Sequence, residues 1–398
     1  MPRESFTIDN VPVLGLSREL GRNRPGLYSS RLMGRTETGG EGGGLVPLRS
    51  GIAYIDEQAG ELLYRGHNIH DIAEKLSFEQ TVFLLWQGRL PAMDESREFA
   101  DELATYRTVP EAIMDLLRIT PEYAHPMASL RTAVSMLACV DPDQDELGRE
   151  AHELKAKKLV AQLPTIVAAQ HRLGVGLEPL PTDPDLSHAA NYLYMLSGRL
   201  PDELDCRVLS VLMNLYCEHE LTSATYTARL VIDARSDFYS AMVAALGALK
   251  GPLQSGGLDE VMRMFVAVGG PDDADEWVEQ RLASHGRIPG YGHRLYEDRD
   301  PRTPHLRRLL AELAERHSRW YKLTEAVAAS VERRTGGHPG LDFYAAPVLY
   351  HLGFPLELFT NVIASARVAG WAAHALEQHG DARLRRARAD YVGPKVGL

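Results

Sequence analysis

The sequence predicts a mainly α protein with a small β-hairpin near its N-terminal end. Three observations carry this. Apolar residues recur at helical spacing through most of the chain, as at Leu130, Val134 and Leu137. Short Gly/Pro breaks, not long polar segments, separate these stretches. Strand-like sequence is confined to residues 51–66, where two short runs flank a turn at 57–60. No period of about 34 or 40 residues recurs, which argues against a helical repeat.

In chain order, residues 1–44 are rich in Gly, Arg and Ser and read as a flexible arm. Their glycine run at 39–44 is not a phosphate loop, since no Lys-Ser/Thr follows it. The hairpin comes next. Ser77 and Gln80 form a capping box ahead of the apolar run 82–86, which Gly88 and Pro91 stop. Thr108 and Glu111 are expected to open another helix the same way. Pro126 begins a third, and 159–173, with Pro164 inside, a fourth that should kink. Further helices are expected at 186–196, 205–216, 237–249, 259–268, 303–317, 321–333 and 355–377.

The 398 residues suffice for a large core, as two domains or one with a major insertion. A hydrophobic content of 44% and a charged content of 24% are ordinary for a soluble globular chain. The net charge of −11 argues against nucleic acid as a partner. No apolar run approaches the ~18 residues of a membrane span. The N-terminus lacks a signal-peptide apolar region. Cys139, Cys206 and Cys217 are too scattered for a disulfide framework or a metal site. A reducing cytoplasm fits these features.

Five stretches could carry chemistry. In residues 288–302, Pro289, Gly290 and Gly292 turn the backbone and present His293, while Asp300-Pro301 sets Arg302 at the start of the next helix. An acid/base group beside a fixed guanidinium suits a carboxylate-bearing substrate. A glycine turn with a surface histidine fits the same residues. Glu218-His219-Glu220, followed by small hydroxyl residues and Arg229, falls late in a helix or past its end, where a solvated charged end is the plainer reading. Residues 250–257 hold three glycines and a proline around Gln254, more than a plain connector needs. Asp342 lies between Leu341 and Phe343, surroundings that raise a carboxyl pKa and suit a general base; it also suits a helix N-cap. Arg367 sits alone in an apolar helix and needs an anion, either a ligand or a buried ion-pair partner.

Taken together, these segments resemble the citrate synthase family, which includes the 2-methylcitrate synthases. The likeness spans residues 51–394 in family order. It is carried by Leu63-Tyr-Arg-Gly66, His125-Pro-Met127, Glu218-His-Glu220, Gly251-Pro-Leu253, Gly290-Tyr-Gly-His293, Asp300-Pro-Arg302, Asp342-Phe-Tyr344, Ala366-Arg367 with Gly370-Trp371, and Tyr391-Val-Gly-Pro394. The resemblance implies a two-domain helical homodimer. Beyond an arm at 1–50, it implies a large domain of 51–256 plus 354–398 and a small domain of 257–353 that closes over substrate. It implies Claisen-type condensation of an acyl-CoA with oxaloacetate or a close 2-oxo acid, then thioester hydrolysis. No cofactor is bound permanently, the CoA thioester is a co-substrate, and no metal is used. Asp342 matches the base, His293 the donor to the 2-oxo carbonyl, and His219, Arg302 and Arg367 the carboxylate ligands. Arg386, in a run of four arginines within 383–388, matches one that reaches the neighbouring subunit's site. Pro289, Gly290, Tyr291 and Gly292 match the CoA-side loop.

The departures from the family pattern lie mostly on the thioester side. Gln254 stands where a histidine donates to the enolate oxygen, a role an amide can share. Glu297 and Thr335 stand where cations are common, Gly340 replaces an asparagine, and Ala345-Ala346 replace Ser-Gly. Tyr216 replaces the first histidine of a His-x-x-His. These departures leave two alternatives beside the ordinary reaction: a different acyl donor, or a non-catalytic di- or tricarboxylate-binding paralogue.

Overall fold

A computed structural model of the chain describes residues 48–252, 257–292, 295–296, 299–316, 318–381, 391 and 393. The expected arm at 1–44 lies outside the described residues. The chain divides into two units, Leu48–Arg386 and Met1–Pro47 with Ala387–Leu398. All helices and strands among the described residues fall in the first.

The hairpin forms as expected. β1 (Ala53–Asp56) pairs antiparallel with β2 (Glu61–Tyr64). The Asp56 side chain accepts from the Gln58 and Ala59 N–H groups, and Gly60 closes the turn at φ 65°. A short β3 (His67–Asn68), not anticipated, adds to β2. α1 (Ile69–Ile72) follows, then α2 (Phe78–Gln87) with the expected capping box: Gln80 N donates to Ser77 Oγ at 3.2 Å and Ser77 N to Gln80 Oε1 at 2.9 Å. Gly88 ends α2 at φ 73°.

Sequence periodicity misses α3 (Met93–Thr105), because only Phe99 and Leu103 are buried in an otherwise polar run. The expected cap at Thr108 is corrected. α4 (Glu111–Ile119) starts after Pro110 with no side-chain cap, and the Thr108 hydroxyl lies against Thr182 instead. α5 (Pro126–Val140) buries Leu130, Val134 and Leu137 as anticipated. α6 (Arg149–Gly174) begins well before residue 159. Its charged first turns escape an apolar criterion, yet Lys155 is buried and its ammonium donates to the Gln144 and Glu146 carbonyls at 2.7 Å.

α7 (His188–Ser197), α8 (Glu203–Tyr216), α9 (Ser223–Asp233) and α10 (Phe238–Leu249) follow. Then come α11 (Leu258–Val268), α12 (Ala274–Ala283), α13 (Thr303–Leu313), α14 (Ser318–Thr335), α15 (Leu341–His351) and α16 (Phe359–Gly380). α9 and α12 were not anticipated. α16 is the hub: it packs against α2, α6, α8, α9 and α10 and is buried along nearly its whole length. This explains its apolar sequence and the burial of its few polar residues. α11 to α15 pack chiefly on one another, with α13 and α15 also touching α8. No described helix is long and apolar enough to cross a membrane.

Candidate active site

The site is built around the end of α8. Tyr216 is its last residue and Cys217 its C-cap. Glu218-His219-Glu220 therefore lies past the helix, in the linker to α9, not on a solvated helix end: Glu218 is fully buried and His219 nearly so. Glu220 turns the linker at φ 57°, a conformation that costs a non-glycine residue of order 1 kcal/mol. The turn is held by the Thr222 cap, which accepts from Thr225 N, and by Tyr64 of β2, whose hydroxyl donates to the Glu218 carbonyl at 2.7 Å. His219 Nε2 lies 3.1 Å from the Tyr296 hydroxyl.

α16 meets this linker at Gly370. Its N–H donates to the Cys217 carbonyl at 3.1 Å, and a Cβ there would stand 2.3 Å from Cys217 O and Glu218 Oε2. Only glycine permits that approach, so Gly370→Ala is expected to destabilise the protein by about 1–3 kcal/mol through overpacking. A shift of the chemical denaturation midpoint measures it. One turn before Gly370, Arg367 is buried, and its Nε has no hydrogen-bond partner among the described residues. Burial pushes its guanidinium pKa down, which the Glu218 charge opposes and the Arg302 charge reinforces. Glu218 Oε1 lies 3.1 Å from His374 Nε2. The Arg229 guanidinium, a donor only, lies 3.0 Å from His374 Nδ1. Nδ1 is therefore the acceptor, and Nε2 carries the hydrogen toward Glu218. Arg229 thus serves the support behind the site, bonding also to Gln378 and Glu377.

Arg302 caps α13 and pairs with Asp300 through two bonds, Nε to Oδ1 at 2.9 Å and Nη2 to Oδ2 at 2.7 Å. Both are almost wholly buried. Burial opposes the Arg302 charge, but Asp300 outweighs it and raises the pKa. Among the described residues Nη1 makes only a 3.5 Å contact to the Leu215 carbonyl, which leaves part of the fork for another anion.

Asp342 is the second residue of α15; the N-cap is Gly340, so the capping alternative is corrected. Burial raises its carboxyl pKa, opposed by the hydrogen bond from Tyr216 and by the charges of Arg302 and Arg367. The Tyr216 hydroxyl donates to Asp342 Oδ1 at 2.5 Å. Oδ2 faces Gly257, where a Cβ would stand 2.5 Å away. Pro289 to Gly292 are stitched to the residues before Asp342. Gly290, at φ 80°, accepts from Gly340 N at 2.8 Å, and a Cβ on it would meet Phe343 Cβ at 2.9 Å. Tyr291 and Gly292, with Ile288, Thr335, His338 and Pro339, line a cleft of about 430 Å³. Thr335 accepts from Gly337 N at 3.0 Å and shapes its wall.

Asp342, Arg302, Arg367 and His219 thus lie on three elements and one linker around a single buried region. His293, Gln254, Glu297 and Arg386 lie outside the described residues. Sequence reasoning noted Tyr216 only as a departure, named Tyr64 only within a family motif, and missed Tyr296 and His374. A tyrosine among apolar residues carries no local sign of a long-range hydrogen bond.

A family model described as "Citrate synthase, C-terminal domain" matches residues 43–388. The chain is 38% identical to "Citrate synthase 2" of Bacillus subtilis over 354 residues, 88% of this chain and 95% of that one. It is 37% identical to a 2-methylcitrate synthase of Mycobacterium tuberculosis over 352 residues, 88% of this chain and 89% of that one. The citrate synthase of Pyrobaculum aerophilum superposes with a TM-score of 0.83 at 34% identity, covering 89% of this chain and 92% of that one. That of Thermoplasma acidophilum, in ternary complex with carboxymethyl coenzyme A and oxaloacetate, superposes with a TM-score of 0.82 at 25% identity, covering 89% and 96%.

Proposed function

The chain belongs to the citrate synthase family, and from that premise we propose that it condenses an acyl-CoA, acetyl- or propionyl-CoA, with oxaloacetate or a close 2-oxo acid and then hydrolyses the thioester. It is an acyltransferase that converts the acyl group to an alkyl on transfer. Relatives named for citrate and 2-methylcitrate synthesis along 88% of the chain favour this over another donor or a non-catalytic role.

The observation that carries the reading is the pairing of charges around Asp342. A carboxyl raised by burial lies under the charges of Arg302 and of Arg367, whose buried Nε has no hydrogen-bond partner among the described residues. Such cations suit the carboxylates of a 2-oxo dicarboxylate. Asp342 takes the α-proton of the thioester, and a raised pKa makes its carboxylate the stronger base for that step. His219 joins Arg302 and Arg367 on the oxo acid. His293 donates to its carbonyl as the bond forms, Gln254 steadies the enolate oxygen, and Arg386 of the partner subunit in a homodimer completes the clamp. The cleft beside Tyr291 and Gly292 takes the CoA thioester, with Pro289 and Gly290 shaping its rim. Residues 257–353 act as a closing domain on the larger body of 51–256 with 354–398. The mutual packing of α11 to α15 supports this division. The enzyme works in the cytoplasm on small molecules, without a resident metal.

The test is release of free CoA thiol from acetyl-CoA and propionyl-CoA, each with and without oxaloacetate. Oxaloacetate-dependent release with at least one donor is expected. No release above background with either, from folded protein, overturns the reading.

A further inference from the structure

The two oxygens of Asp342 are not equivalent. Oδ1 accepts the Tyr216 hydroxyl at 2.5 Å. Oδ2 has no hydrogen-bond partner among the described residues and faces the bare Cα of Gly257, where even a methyl group would collide with it. Gly257 opens α11, and Tyr216 closes α8. The carboxylate is therefore held between two helix ends, by a donor on one side and a glycine on the other.

Resting on the reading of Asp342 as the base, we infer that Tyr216 is a positioning residue, which fixes Oδ1 as a hydrogen-bond acceptor and leaves Oδ2 to take the α-proton of the thioester. In that step the C–H bond breaks, its electron pair passes into the enolate, and the proton forms an O–H bond on Oδ2. The reverse transfer, or loss to water, restores the carboxylate while Tyr216 keeps its own proton.

The geometry favours this assignment. Tyr216 is nearly fully buried at the end of a helix packed on α7 and α16, so its hydroxyl has little freedom to turn away. Burial, and then the Asp342 charge, raise its pKa well above the ordinary phenol value, so it stays a donor at any working pH. Among the described residues, the charged groups acting most on the pair are Arg302 and Asp300, at and just before the start of α13, and Arg367 from α16. The arginines favour the Asp342 carboxylate and Asp300 disfavours it. Among these, Tyr216 is the group that bonds directly to Asp342. A hydrogen bond to the charged form of an acid stabilises that form.

The experiment is the pH profile of kcat for thiol release in three proteins. Tyr216→Phe removes the donor and keeps the ring. Its acid limb is expected to move up by about one to two pH units, the range a hydrogen bond to a charged group supplies. kcat at neutral pH falls, and KM for both substrates is unchanged. Incorporation of 3-fluorotyrosine at position 216 strengthens the donor without changing the packing, and its acid limb is expected to move down. The fluorinated protein keeps the test decisive if the phenylalanine variant does not fold. An acid limb that stays in place in the folded variants overturns the inference. Asp342→Asn separates the two levels. If it abolishes thiol release while the Tyr216 variants leave the profile unmoved, the base stands and the Tyr216 role falls. If it retains the wild-type rate, the reading of Asp342 falls as well.

Discussion

Asp342→Asn is expected to lower kcat for oxaloacetate-dependent thiol release by about 10²–10⁴-fold, the usual contribution of a positioned general base. The amide keeps the shape of the carboxyl and can still accept from Tyr216, so KM for both substrates should change little. Stability should move the other way. Burial raises the Asp342 pKa in the folded chain above its unfolded value. Ionisation is therefore costlier when folded, and the wild type loses stability as pH rises through the raised pKa. Asparagine does not ionise. The variant should match the wild type below about pH 4, the ordinary carboxylate range, and melt higher above the raised pKa. Melting temperatures across pH check this, and a gap that widens toward acid would contradict it.

Arg302→Met is expected to cost about 3–5 kcal/mol of stability, because it strips a buried carboxylate of its cation. The carboxylate is Asp300, bound through two short contacts and almost wholly buried. Arg367→Met should behave differently. No hydrogen bond to the Arg367 Nε exists among the described residues, so its loss falls mainly on the substrate. KM for the 2-oxo acid should rise about 10–100-fold, as for a lost charge-assisted bond of about 1.5–3 kcal/mol. Denaturation midpoints and oxaloacetate saturation curves, measured on both variants, separate Arg302, which serves stability as well as binding, from Arg367, whose loss falls mainly on binding. Equal losses of stability would contradict the distinction.

The division between these arginines was not legible in the sequence. Arg302 read as a fixed guanidinium at a helix start and Arg367 as a lone cation in an apolar helix, both suited to an anionic substrate. Only the fold shows that Asp300, two positions from Arg302, turns back onto its guanidinium, whereas Arg367 faces Glu218 across a helix–linker contact with Nε left over. The helices tell the same story. α5 was legible because its apolar residues repeat on one face, and α2 because its cap residues are local. α3, the first turns of α6, and α12 were not, since these stretches are polar and bury too few apolar residues to show a periodic face.

The chemistry available to this chain is written locally. Gly290 and Gly292 must turn, Asp342 must sit among apolar neighbours, and the order of these segments is enough to identify the family. Short-range sterics and residue type set those features, so a linear reading reaches them. Which groups meet is a different matter. Tyr216 and Asp342 lie 126 positions apart, and His374 and Glu218 lie 156 apart. Their contacts exist because Gly370 lets α16 close on the α8–α9 linker and Gly257 leaves room for Asp342 Oδ2. Hydrogen bonds and charge pairs act over a few ångströms, so only the packed chain decides which polar groups are satisfied and which remain free for a substrate.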